Sequence, residues 1–242
     1  PGGARMRGVQ LGLVGVAAQE SAHGINMGLL GAGSGGDLWG INIGGIGCGA
    51  GGNLSGFNFG LVGCGAGANA TGLNIGGIGC GAGDNMTGLN IGGIGCGAGG
   101  NLKGVTLALV GAGAGANMSG IQISGLGLGA GDELKGISFA GLGVGSPKIS
   151  GFSFAGGFIG GSDVNGIALA LGTVMIKNDK DSAKFNGLAV SACNRVKGSQ
   201  TGLSIGIVNI ADTLNGFQLG LINVANNNKG IFRILPFLNA HL

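Results

Sequence analysis

Apolar residues return along this chain at a fixed step. The first apolar residue after each punctuating glycine falls at Val9, Ile25, Ile41, Phe57, Leu73, Leu89, Val105, Ile121 and Ile137, and every one of these intervals is sixteen residues long. Beyond Ile137 the intervals become 15, 15, 21, 15, 14 and 14, ending at Ile231. Leu73–Gly88 and Leu89–Gly104 repeat one unit almost word for word. Self-similarity held over so many steps is the signature of a solenoid, in which each unit is covered by its neighbours.

Within a unit the local period is two. Ile41 and Ile43 alternate with Asn42, and Ile46, Cys48 and Ala50 alternate with Gly47, Gly49 and Gly51. Such alternation reads as strand with one set of side chains inward, and the expected inward set is the apolar one. Gly44-Gly45, Gly51-Gly52-Asn53 and Gly56 mark bends, with Leu54 pointing in between them. The expected fold class is all-β, a single-domain β-solenoid of about fifteen coils of 14–16 residues, with two short strands per coil and a flat glycine face. Three segments are distinguished: regular glycine-rich coils over 1–137, less regular coils over 138–230 with an inserted charged loop at 177–186, and a cap at 231–242. In the cap Pro236 breaks the strand pattern, and Phe232 and Phe237 are placed to cover the end of the core.

Composition sharpens this picture. Glycine supplies 63 of 242 residues, yet three prolines exclude collagen, and a chain 44% hydrophobic and 9% charged is not a disordered one. The formal charge of +3 is scattered without a Lys/Arg run, which speaks against a nucleic-acid partner. No window of 18 apolar residues runs uninterrupted, so no transmembrane helix is expected. The sequence opens at Pro1 with no leader pattern, compatible with a signal peptide removed or lying outside it.

The units Leu203–Ala211 and Phe217–Ala225, each preceded by glycine, follow the pattern Gly-h-x-h-Gly-h-h-Asn-h-Ala, where h is apolar, and Leu235-Pro-Phe-Leu follows them near the C-terminus. In these residues the chain resembles bacterial surface-repeat proteins built from tandem units of that pattern with an aromatic, proline-containing tail. The coils from Ile41 to Gly104 depart from it, with Gly-Cys-Gly where the family unit has Asn. The resemblance implies a β-solenoid at the cell surface or secreted, with no established activity.

Candidate chemistry is sparse. Cys48, Cys64, Cys80 and Cys96 recur at sixteen and form one ladder in the core, a line that suits neither a tetrahedral metal site nor disulfide geometry. Val16, Ala32, Ala112, Leu128 and Val144 fill the same slot, so the thiols read as small apolar groups. No helix start follows the glycine runs to make a phosphate loop, and no nucleophile–base or paired-carboxylate set appears. Asn178, Asp179 and Asp181 read as a solvated turn rather than a cation site. No enzymatic activity, cofactor or metal is expected.

Two faces remain as candidates. If Cys48 and Ala50 point in, Gly47, Gly49, Gly63, Gly65, Gly79, Gly81, Gly95, Gly97, Gly111 and Gly113 point out, as do Gly51 and its counterparts. Glycine in a strand costs about 0.5–1 kcal/mol relative to alanine, so this bare face costs on the order of 10 kcal/mol. It predicts close approach of another flat surface, from a second copy or another protein of a surface assembly. The competing explanation is that a thin, tightly curved coil demands glycine on steric grounds. On the other strand Asn26, Asn42, Asn58, Asn74, Asn90 and Thr106 share one position, expected to face out. That row reads as an amide ladder along the axis, or as a regular polar array for ice or a polysaccharide.

Overall fold

The structure, a computed structural model, describes residues 3–178 and 182–241. Packing divides the chain into two compact units, Pro1–Gly125 and Leu126–Leu242, and each is a parallel β-solenoid with two strands per coil. In the first unit strands of seven or eight residues, such as Leu54–Gly60 and Ala70–Gly76, alternate with strands of four, such as Gly63–Ala66 and Gly79–Ala82. Long strands pair with long and short with short, each residue opposite its counterpart sixteen positions on: Leu73 meets Leu89 and Cys80 meets Cys96. The sequence period thus becomes the register. Each long strand is kinked by one glycine of positive φ; at Gly88 it is 119°, and a Cβ there would fall onto the carbonyl oxygen of Gly72.

In the second unit the step shortens, so that Glu133 pairs with Lys148 and Cys193 with Val208. The charged insertion is narrower than 177–186, because Ala183–Val190 is already a strand with Ala183 and Phe185 buried. Asp179 and Asp181 lie outside the described residues. Turns number about thirteen rather than fifteen. The segment from Ile231 opens no further coil: it runs through a 3-10 turn, Gly230–Arg233, into the strand Ile234–His241, which pairs antiparallel with the last parallel strand. The expected aromatic cover of the core is not formed, since Phe232 and Phe237 are 60% and 73% exposed. Asn239 closes that end instead, buried and donating its amide to the Asn223 carbonyl at 3.2 Å.

The main correction concerns inside and outside. Leu54, Cys48 and Ala50 are buried as expected, but Ile46 lies on a bend and is 52% exposed. On the long strands the assignment is reversed: Asn42 is fully buried, whereas Ile41 is 42% exposed and Ile43 half-exposed. The interior is too thin for two facing rows of large aliphatic groups. The Cys64 thiol already reaches the Ile75 carbonyl of the long strand at 3.1 Å. Asparagine, stacked on itself with its polar atoms satisfied, fits where isoleucine would overpack.

Candidate interaction faces

One coil of the first unit shows how the faces arise. Leu54, Asn58, Gly60, Cys64 and Ala66 point inward, a series that tapers from a wide end at Leu54 to a narrow bend at Gly60. Outward stand Ser55, Phe57 and Phe59 on the long strand, Leu61 and Val62 on the narrow bend, and Gly63 and Gly65 on the short strand. Gly67, Ala68 and Asn69 form the wide bend back to the next coil.

The row predicted as an exposed polar ligand array lies in the core. Asn26, Asn42, Asn58, Asn74, Asn90 and Thr106 are all at most 1% exposed, so they present no face to ice or polysaccharide. What they form is an amide ladder. Asn26 Nδ2 donates to Asn42 Oδ1 at 2.7 Å, and the same bond repeats from Asn42 to Asn58, Asn58 to Asn74 and Asn74 to Asn90 at 2.7–2.8 Å. It stops at Thr106, where neither Asn90 Nδ2 nor Thr106 Oγ1 has a partner.

A second ladder went unread in the sequence although its spacing was visible there. On the wide bend Asn117, Asn101, Asn85 and Asn69 donate Nδ2 each to the Oδ1 of the residue sixteen earlier at 2.8–2.9 Å, and the series ends with Asn53 on Asp37. Asp37 Oδ1 accepts from both the Asn53 backbone N–H and its side-chain amide, at 2.8 and 3.0 Å. The ladder's signal is the sixteen-residue spacing of Asn53, Asn69, Asn85, Asn101 and Asn117, each three residues before a kink-forming glycine, in bends that ordinarily read as solvated loops.

The glycines divide into two kinds. In the bends they are required: a Cβ at Gly51, Gly67, Gly83 or Gly99 would fall onto the backbone carbonyl of the coil before. These residues are therefore set apart from the flat face on which they were expected. In the short strands the constraint is lighter. At Gly47, Gly63, Gly79 and Gly95 a Cβ would come within 3.0–3.1 Å of the next coil's carbonyl oxygen, and at Gly49, Gly65, Gly81 and Gly97 it would sit at 3.5–4.0 Å, ordinary contact. Ala17 occupies this second row beside Gly33, and in the second unit Met175 and Arg195 follow Gly160 in the corresponding row. Gly111 and Gly113 continue the two rows beside Gly95 and Gly97. The coil can carry side chains here, and over six coils it carries none.

The thiols lie at the centre of the ladder as expected. Cys48, Cys64, Cys80 and Cys96 are buried and form no disulfide, with Cys80 and Cys96 sulfurs hydrogen-bonded at 2.7 Å. The hydrogen bond to Cys64 and then burial push the Cys48 thiol up, and Cys96 and burial do the same for Cys80, so these two thiols stay protonated. Cys193 is half-buried, in the second unit. Among the described residues no three His, Cys, Asp or Glu side chains cluster in a way that could hold a metal ion, and no helix is long and apolar enough to cross a membrane. Comparison with protein-family models, curated proteins and solved structures finds no match.

Proposed function

We propose that this chain is a non-enzymatic structural protein, a rigid β-solenoid that assembles by laying its flat glycine face against another flat surface. The single observation that supports this most is the open row Gly49, Gly65, Gly81 and Gly97. Its backbone admits a Cβ at ordinary contact distance, so the steric demand of a thin coil does not account for it. A surface kept bare at a cost in chain entropy suits close backbone approach by a partner. The partner is a second copy related by a two-fold axis, or another protein of the same assembly. The Gly-h-x-h-Gly-h-h-Asn-h-Ala units of the second half, similar to those of bacterial surface-repeat proteins, favour an assembly at the cell surface or in an extracellular appendage.

Light scattering over a concentration series, on wild type and Gly81→Gln, tests the reading. The glutamine fits the monomer, so wild type is expected to assemble and the variant to remain a folded monomer. If both are folded monomers at high concentration, the glycine face is not an interface.

A further inference from the structure

The outer surface of the first unit is divided lengthwise by polarity. Every Asp, Glu, Lys and Arg among its described residues (Arg5, Arg7, Glu20, Asp37, Asp84 and Lys103) belongs to the wide bend or the strand end beside it. Parallel register keeps them in few rows: Arg5 stacks through Ser21 on Asp37, and Arg7 shares its row with His23, Trp39, Thr87 and Lys103. The narrow bend opposite carries no charge in any coil. There Leu13, Leu29, Leu61 and Leu109 stand 64–89% exposed, and the outward rows of the long strands run into them. At about 4.8 Å per coil, the seven narrow bends of the first unit carry this apolar edge for roughly 29 Å. Contiguous apolar surface of that extent marks an interaction site rather than the scattered exposure normal for proteins.

Three features say what covers it. The edge is uneven, since Gly45 follows Leu13 and Leu29 in their row, and Leu11, Leu13, Met27, Leu29 and Ile43 line an open apolar hollow of about 450 Å³ that fluid chains can fill. The outward row varies in size, as Val9, Ile25, Ile41, Phe57 and Leu73 do, while the buried row beside it repeats asparagine from Asn26 to Asn90. A row that needs only to be apolar is not fitted to a shaped partner. The chain's one tryptophan, Trp39, lies stacked on His23 with ring centroids 5.9 Å apart, in the row of Arg7 and Lys103 that borders the Ile41 row. That is where an interfacial tryptophan sits on an amphipathic element lying in a membrane surface.

We propose that the apolar edge of the first unit inserts into the acyl region of a lipid surface, with the charged edge left in water. The occupant is the lipid chain rather than the headgroup, because the basic residues Arg5, Arg7 and Lys103 are matched in number by the acidic Glu20, Asp37 and Asp84. This goes beyond the glycine face, which lies on the short strands, and does not depend on it.

The test is flotation of the full chain with neutral phosphatidylcholine vesicles, at low and at high salt. Wild type is expected to float at both, with the Trp39 emission shifted to the blue. Leu61→Glu/Leu109→Glu, a pair of exposed positions whose fold is checked by circular dichroism, is expected to bind at least about tenfold more weakly. Thr71→Lys on the charged edge and Gly81→Gln on the short strand are expected to bind as wild type does. Failure of wild type to float, or undiminished binding by the double glutamate variant, overturns the proposal. So does a wild type that ignores vesicles but forms a dimer that the double variant cannot, since the edge would then belong to a second copy.

Discussion

At Asn58 both ends of the side-chain amide are in use: Oδ1 accepts from Asn42 and Nδ2 donates to Asn74, in a position fully shielded from water. Asn58→Leu leaves the Asn74 Oδ1 acceptor without its partner and the Asn42 Nδ2 donor with only a long 3.5 Å bond to the Ser55 carbonyl, and each buried partner lost costs about 1–3 kcal/mol. The variant is therefore expected to lose about 2–5 kcal/mol of stability in urea unfolding. Thr106 occupies the same row with an unpartnered hydroxyl. Thr106→Val removes an unsatisfied group at nearly constant volume, and its midpoint is expected to match or exceed that of wild type. Glycines sort by the same reasoning. Gly81→Ala meets only ordinary contact and restricts the unfolded chain, so a gain of up to about 1 kcal/mol is expected. Gly88→Ala combines a left-handed φ with a collision against the Gly72 carbonyl, and a loss of at least about 2 kcal/mol is expected.

The short strand Gly-Cys-Gly-Ala is the element whose side-chain pattern is simplest: thiol and methyl inward, nothing outward. Its cysteines are shielded, and Cys48 and Cys80 are held as thiols by the neighbouring sulfur and by burial. Burial keeps alkylating reagents from all four, including Cys64 and Cys96, whose hydrogen bonds from the neighbouring sulfur favour the thiolate, so under native conditions at pH 8 the half-buried Cys193 is expected to label first, with Cys48, Cys64, Cys80 and Cys96 following only on unfolding. Peptide mass mapping after timed iodoacetamide treatment reads the order. Equal labelling of all five would show that the ladder opens to solvent. This strand was legible in the sequence down to the direction of each side chain. The long strand was not. Alternation of Ile41, Asn42 and Ile43 defines two faces without saying which is the inner one, and the usual hydrophobic preference picks wrongly where the interior has no room for isoleucine. The Gly-Cys-Gly departure from the surface-repeat unit also becomes intelligible. Cys48 and Asn209 occupy the same inward slot of the short strand in their respective units. In the second unit Asn194, Asn209 and Asn223 form the buried ladder there, bonded at 2.7–2.8 Å.

For the molecule taken whole, the period was the most readable property, because a fixed step in sequence becomes register without any further information. Bare glycine rows were readable too, while the apolar edge was hidden by the assumption that Phe57 and Leu73 were core. Stability built from nearest-neighbour coils makes one repeat removable. Deleting Leu89–Gly104 brings Val105 opposite Leu73 with every row in its place, and the shortened chain is expected to keep the β-type circular dichroism and a cooperative melt. Deleting only Leu89–Cys96 shifts every later coil by half a turn of the repeat, and that chain is expected to be unfolded or aggregated.

The two amide ladders of the first unit run in opposite senses. In the buried ladder each Nδ2 points toward higher residue numbers, and on the wide bend each points toward lower ones. Each ladder is a file of head-to-tail dipoles, so either alone would give the unit a positive pole and a negative pole. Together they oppose, and the one full charge in the arrangement, on Asp37, stands at the donor end of the outer file, where it is most welcome. Asparagine can thus be repeated coil after coil without an axial voltage building up, and growth by added repeats meets no electrostatic limit from its own amides.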